Sequence, residues 1–186
     1  MALEPNYIQN WKELYKELCE KVSTALPDIK WQDLWHNQVG FLEEEHPFPA
    51  PAIFYGFTIL STEDGGSKSQ DVDLQVDVYH YFETFDDTYD GSYNQDSALA
   101  FLDSISDVFR LLHATSGTYY SEMRRIGFRM VDTGDAGNLY VQQFVCKMRD
   151  LSALPEYEGV IPGDINLEEG IPATANTLEK PYIIKT

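Results

Sequence analysis

Basic residues are scarce in this sequence of 186 residues. Its 13 lysines and arginines stand against 31 aspartates and glutamates, which gives a formal net charge of −18 at pH 7. Nucleic-acid backbones and anionic membrane surfaces are themselves negative, so a chain with this balance repels both. The composition therefore argues strongly against non-specific binding to DNA.

Cysteines and long apolar runs are also few. Cys19 and Cys146 are too few for a disulfide framework, and because both lie in apolar periodic segments we expect free thiols buried in the core. No stretch approaches the roughly 20 apolar residues that a membrane span needs. The first residues show neither the basic nor the apolar region of a signal peptide, so we expect a soluble protein made in a cytoplasm.

Motifs for catalysis and metal binding are missing as well. The sequence contains no phosphate-binding loop, dinucleotide fingerprint or nucleophile elbow. Its four histidines lack the spacing of metal ligands, and His80, on the apolar side of a predicted strand, is expected to be a core histidine whose hydrogen bonds are satisfied. Residues 86–91 match the first half of a calcium-binding EF-hand loop, but Ser97 stands where that loop needs a glutamate. We expect no enzyme activity, cofactor or metal.

The hydrophobic pattern predicts two helices and four strands. Apolar residues recur every three or four positions over residues 8–26 and 95–113, which predicts amphipathic helices. Strands are predicted at 52–60, 70–82, 120–131 and 138–149, with loops at 61–69 and 83–94, whereas residues 29–38 are ambiguous. Residues 52–60 are apolar on both faces, so that strand is buried on both sides or packs against a partner.

This order of elements predicts an α+β fold. We expect a two-layer sandwich in which two helices cover one face of a mainly antiparallel sheet of about four strands. Residues 1–150 form the predicted domain. Residues 151–186 contain recurrent prolines and glycines without a helical or strand period, and they are predicted to form an extended arm that wraps its own domain or reaches a neighbour.

The acidic excess is concentrated on one part of the chain. Residues 61–113 contain 12 acidic and 2 basic residues, whereas residues 114–150 contain 4 and 5. In the predicted strand 70–82, Asp71, Asp73 and Asp77 share one face. They lie too far apart (about 6.5–7 Å between i and i+2) to hold one metal ion without further ligands, which favours a solvated acidic face.

Bases cluster on the last two predicted strands. They are Arg124, Arg125, Arg129 and Lys147. An acidic centre and a basic edge are complementary head to tail, and contacts of that kind build rings or filaments. The alternative is that these bases pair with acids inside the same subunit, and the sequence leaves both interpretations open.

The order of these features resembles one family. An amphipathic helix precedes the proline-rich lead-in Pro47-Phe48-Pro49-Ala50-Pro51-Ala52-Ile53-Phe54, the alternating Asp/Val strand, a helix containing residues 97–105 and a closing hairpin. Over about residues 5–150 the chain is similar to the tail-terminator, or tail-completion, proteins of long-tailed bacteriophages and related prophages. The similarity rests on order and pattern rather than on one exact motif.

The resemblance implies a structural virion protein assembled in the host cytoplasm. Such a protein forms a hexameric ring that ends the tail tube, meets the head connector and lets DNA pass without specific binding. Asp71, Asp73, Asp77 and the four bases are then expected at the lumen or at a subunit boundary. Two alternatives stay open, namely another head–tail joining or head-closure subunit, and a small hydrolase or metal-dependent enzyme whose site is assembled in space.

Overall fold

A computed structural model describes residues 8–41, 48–66, 68–83, 86–133 and 137–154. Its helices are α1 (Trp11–Ala25), α2 (Gln95–Leu99) and α3 (Phe101–Leu112), together with a 3₁₀ helix at Gln38–Phe41. Its strands are β1 (Trp31–Leu34), β2 (Ala52–Gly66), β3 (Ser69–Phe82), β4 (Arg124–Val131) and β5 (Asn138–Asp150). The predicted α+β class is confirmed.

The five strands form one mixed sheet in the order β1-β2-β3-β5-β4. Strand β1 runs parallel to β2, and every other neighbouring pair is antiparallel. The prediction of about four strands was wrong by one. The missed strand, β1, has only four residues, and Leu34 interrupts the alternation that would have identified it.

Helix α1 packs on the sheet through one row of side chains. Leu14, Leu18 and Val22 recur at every fourth position and are fully buried. The helix starts later than residue 8, at a capping residue: the Asn10 side chain accepts a hydrogen bond from the Glu13 N–H at 3.2 Å. It ends at Ala25, and Pro27 follows, as predicted.

The second predicted helix is two helices, because the chain breaks its helical hydrogen bonding at Ala100. Helix α3 buries Ile105, Val108 and Leu112. With α1 it covers the side of the sheet on which the even-numbered residues Val72 to Val78 of β3 lie, and these residues form one core with both helices. We call this side of the sheet the helix face and the opposite side the open face.

A second, smaller core covers one end of the open face. It contains Val39, Ala52, Phe54, Tyr81 and Leu139. The segment after β1 supplies its cover, since the Trp35 ring stacks on Tyr79 with centroids 4.1 Å apart. The remainder of the open face is free of such a cover among the described residues.

The β2–β3 hairpin is longer than predicted. Strand β2 continues to Gly66 and pairs with β3 as far as Ser69, so the predicted loop at 61–69 was wrong. Gly66 (φ 74°) and Lys68 (φ 65°) adopt left-handed backbone at the tight turn between the strands. Burial on both faces is confirmed only for residues 52–55, and the strand becomes exposed from Thr58 onward.

The remaining predictions are partly confirmed, partly wrong and partly untested. Both cysteines are free, as predicted. Cys146 is buried, and burial raises its pKa to about 12, but the predicted burial of Cys19 was wrong, because its side chain is half-buried at the edge of the core. Strand β4 begins at Arg124 rather than at 120. The predicted arm lies, from residue 155 onward, outside the described residues. No helix in the described ranges is long and apolar enough to cross a membrane.

Candidate assembly surface

The three aspartates of β3 lie on the open face. Because β3 alternates strictly, Asp71, Asp73 and Asp77 point away from the helices while the residues between them are buried. All three side chains are half-buried rather than fully solvated. The sequence therefore predicted their common face correctly, and their neighbours on β2 and β5 decide their chemistry.

Two of these aspartates are ion-paired within the chain. Arg149 Nε donates to Asp71 Oδ1 at 2.7 Å, and Lys147 Nζ lies 3.2 Å from Asp73 Oδ1. Both pairs follow from the register, since Asp71 lies opposite Arg149 and Asp73 opposite Lys147 on β5. For Lys147 the structure thus shows a pairing partner inside its own subunit.

The bonds of Asp71 and Asp73 favour their ionised forms. A hydrogen bond from Arg149, aided by its charge, holds the pKa of Asp71 below its ordinary value. The pKa of Asp73 is lowered first by the Ser61 hydroxyl, which donates to Oδ2 at 2.6 Å, and then by Lys147. Asp77 accepts only amide hydrogen bonds among the contacts of the described residues, from Gln75 at 2.8 Å and Gln143 at 3.2 Å.

Replacing Ser61 with Ala is expected to raise the pKa of Asp73, because the first cause of its depression is removed. The pKa of Asp71 is the internal control, since it depends on Arg149 and not on Ser61. Stability should change by no more than about 0.5 kcal/mol at this exposed position. A carboxyl-carbon NMR titration measures the pKa of both groups. An unchanged pKa of Asp73 would contradict the assignment of the Ser61 hydrogen bond as the first cause of its depression.

The other three bases lie on β4, on two different faces. Arg124 and Arg129 are exposed and lie on the open face, where Arg129 pairs in register with Val141. Arg125 lies on the helix face: its guanidinium stacks 3.6 Å from the Phe109 ring centroid, and it donates to Gln142 Oε1 at 3.0 Å. Arg125 therefore contributes to the packing of β4 against α3 and β5. Of these three bases, only Arg124 and Arg129 are exposed.

Strand β4 also exposes a row of large apolar side chains. The exposed fractions are 55% for Ile126, 47% for Phe128 and 64% for Met130. Strand β4 is the last strand of the sheet, with a partner only on the side of β5 among the described strands. An apolar row on a free strand edge is a typical site for pairing with another chain.

The opposite end of the sheet has a second free edge, on β2. Strand β1 pairs with Ala52–Tyr55 only, so β2 has no described partner on that side beyond Tyr55. Ile59 and Leu60 are 48% and 50% exposed on this stretch. Next to it, between α1 and the sheet, lies an apolar groove of about 530 Å³, lined by Trp11, Lys12, Tyr15, Leu34, Phe57 and Ile59.

These two edges were missed at the level of the sequence. The alternation of Ile126, Phe128 and Met130 with glycine and arginine is visible there, but the pattern alone predicts a buried face. Only the topology shows that no described element covers that row. The same holds for Ile59 and Leu60, whose exposure follows from the early end of β1.

A separate cleft of about 640 Å³ lies between the end of α1 and the start of α3. Its described lining includes the carboxylates of Asp28, Glu83, Asp103 and Asp107 and no basic side chain. Asp107 is ion-paired with Arg110 on the same helix. Part of the acidic excess of residues 61–113 is therefore found here rather than on the open face.

Of the candidate metal ligands, His46 lies outside the described residues, and the others are not brought together. Among the described residues, no group of three or more His, Cys, Asp or Glu side chains is placed to hold a metal ion. In the EF-hand-like segment, Asp86 accepts a hydrogen bond from the Asn94 side chain at 2.7 Å. His80 is fully buried on the helix face, as predicted for a core histidine, and burial lowers its pKa to about 3. The prediction that its hydrogen bonds are satisfied was wrong for Nδ1, which has no partner among the described residues.

No protein-family model matches this chain, and no curated protein matches it in sequence.

Proposed function

We propose that this chain is a structural subunit that assembles head to tail into a hexameric ring, ends a bacteriophage tail tube and joins it to the head. The resemblance of residues 5–150 to tail-terminator proteins is the source of the phage role and of the number six. The geometry of the sheet supports the part of the proposal that concerns self-assembly.

The observation that carries the proposal is that, within the part of the chain that the structure describes, β4 and the second half of β2 each have an edge without a neighbouring strand, and these two edges differ. One end, β4, presents Phe128 and Met130 with two arginines, and the other presents Ile59 and Leu60 beside an apolar groove. A surface that matches a different surface of the same molecule gives a heterologous contact, and such contacts close into rings when the rotation between copies permits.

The open face is the proposed lining of the ring. With the helices on the outside, Asp71, Asp73 and Asp77 would face the lumen, where DNA passes. Arg149 and Lys147 are ion-paired with these aspartates, so β3 and β5 carry no continuous row of unpaired basic side chains that could bind phosphates. Duplex DNA would therefore slide past this face. A ring structure with these aspartates on its outer surface would contradict this arrangement.

A head-closure or other joining subunit would use the same assembly surface as a tail terminator. The two roles differ in the protein that the ring binds. A terminator caps tail-tube ends, so adding it to polymerising cognate tube protein should shorten the tubes seen by electron microscopy. A joining subunit of another kind would leave tube length unchanged and bind the head connector instead.

Native mass spectrometry of the full chain at tens of micromolar tests the assembly itself. We expect a species of six copies, about 128 kDa from a chain of 21.3 kDa. A ring should persist on dilution better than an open chain of the same copies, since every subunit in it makes two contacts. A monomer at every concentration up to about 100 µM would refute the proposal.

A further inference from the structure

We propose that β4 of one copy pairs antiparallel with the exposed part of β2 of the next copy, so that the sheet continues from subunit to subunit. This inference specifies the contact between subunits of the proposed ring, and it depends on the proposed function only for the number of copies. It identifies the occupant of both free edges as a second copy of this chain.

Hydrogen-bonding groups of the backbone are available on both edges. The Trp35 N–H donates to the Tyr55 carbonyl at 2.9 Å, which is the last backbone bond to β2 from the side of β1 among the described residues. Since backbone groups alternate along a strand, those of Phe57 and Ile59 point to the same side, beyond the end of β1. The outer edge of β4 offers the matching groups, because its described partner lies only on the side of β5.

The strand directions fit an antiparallel pair. Strands β2 and β5 run one way and β3 and β4 the other, since the pairs β2–β3, β3–β5 and β5–β4 are all antiparallel. A second copy displaced along the sheet without being turned over therefore places its β4 antiparallel to β2. Head-to-tail assembly requires this relation, whereas a two-fold dimer would pair two identical edges.

Apolar side chains meet on the helix face of such a pair. Phe128 of β4 lies on this face, where its ring stacks with Tyr140 at 5.5 Å, and Met130 follows two residues later. Phe57 and Ile59 lie on the helix face of β2, where Trp11 packs 5.8 Å from the Phe57 ring. The row on β4 would fill the groove of about 530 Å³ beside α1.

Charges are complementary on the open face. A register that keeps the apolar side chains together places Arg129 opposite Gly56 or Thr58, and Gly56 lies beside Asp77 of β3. Two strand spacings, about 9.6 Å, separate the new strand from β3, which an arginine side chain can span across a glycine. In the register that places Arg129 opposite Gly56, Asp77, whose described contacts are amides only, would gain a guanidinium partner.

Two single variants test the pairing, each damaging one edge. Ile59→Glu alters β2, and Met130→Glu alters β4; both residues are exposed, so each variant should fold, as circular dichroism and thermal melting will show. Each variant alone is expected to be a monomer by native mass spectrometry. A mixture of the two should form a 1:1 dimer and nothing larger, because it contains one intact β4 and one intact β2 edge per pair.

Tyr93→Glu is the control, since Tyr93 is a fully exposed aromatic residue outside both edges, and it should assemble like the unchanged chain. A dimer of Met130→Glu alone, or of Ile59→Glu alone, would reveal a two-fold contact and overturn the proposal. If the unchanged chain is a hexamer and both variants remain hexamers, the edge pairing is refuted while the ring stands. If it forms open filaments that both variants abolish, the pairing is supported and the ring is refuted.

Discussion

When the pH is lowered from 7 to 4.5, this protein is expected to lose about 2.5 kcal/mol more of its unfolding free energy than a His80→Leu variant. The cause is the burial of His80, which lowers its pKa from 6.5 to about 3. Below pH 6.5 the unfolded chain binds a proton at this histidine, while the folded chain does not until the pH approaches 3. Stability therefore falls as the pH falls through that window.

The surroundings of His80 explain why its charged form is disfavoured. Its side chain is fully buried between the sheet and α3, and the only described bond to its ring joins Nε2 to Gln142 Nε2 at 3.1 Å. Since the amide nitrogen donates, Nε2 accepts, and the proton is assigned to Nδ1, which has no partner among the described residues. Among the side chains that the structure describes, no carboxylate bonds this ring to stabilise an imidazolium.

Urea unfolding at pH 7 and pH 4.5, at one fixed chain concentration, measures the effect. Carboxylates titrate in the same range, so the quantity to compare is the difference between the unchanged chain and His80→Leu. Equal losses in the unchanged chain and in His80→Leu would show that His80 titrates normally in the fold.

The strands that the sequence predicted well are those whose pattern is strict. Strand β3 alternates without interruption from Val72 to Val78, and one face of it is fully buried, so its bounds were predicted within a residue. The end of β2 was missed because Glu-Asp-Gly-Gly is typical of a loop. There the pairing with β3 outweighs the local preference for a turn.

The faces of the β4 arginines could not be predicted, for a specific reason. Without a bulge, Arg125 and Arg129 are four residues apart and would share a face. The register shifts between Arg125 and Gly127, and this one extra residue sends Arg125 to the helix face and leaves Arg129 on the open face. Arg124, which would otherwise oppose Arg129, comes to lie on the same face.

The pairing of the aspartates likewise depends on register. Asp73 and Lys147 are 74 positions apart in the sequence, and only the alignment of β3 with β5 makes them neighbours. Charge counts alone left pairing within a subunit and pairing between subunits equally open. The structure shows the first for Lys147, and it leaves Arg124 and Arg129 as the bases of β4 that a second copy could reach.

Replacing Gln142 with Leu is expected to lower the unfolding free energy by about 3 kcal/mol at pH 7. Gln142 is fully buried and bonds three different elements: its Nε2 donates to the Ile105 carbonyl of α3 at 2.8 Å and to His80, and its Oε1 accepts from Arg125. Leucine fills a similar volume but leaves the His80 ring and the Arg125 guanidinium without these partners. Each buried polar group that loses its hydrogen-bond partner lowers the unfolding free energy by about 1–3 kcal/mol.

The neighbouring residue Gln143 supplies the control, because its side chain lies on the open face, half-buried, and bonds Asp77 at 3.2 Å. Gln143→Leu should cost less than about 1 kcal/mol. The loss of unfolding free energy in the double variant His80→Leu/Gln142→Leu should be about 1 kcal/mol smaller than the sum of the single changes. Without His80, the substitution of Gln142 leaves one buried polar group fewer without a partner. Strictly additive costs, or equal costs for Gln142→Leu and Gln143→Leu, would show that the buried amide does not connect these elements.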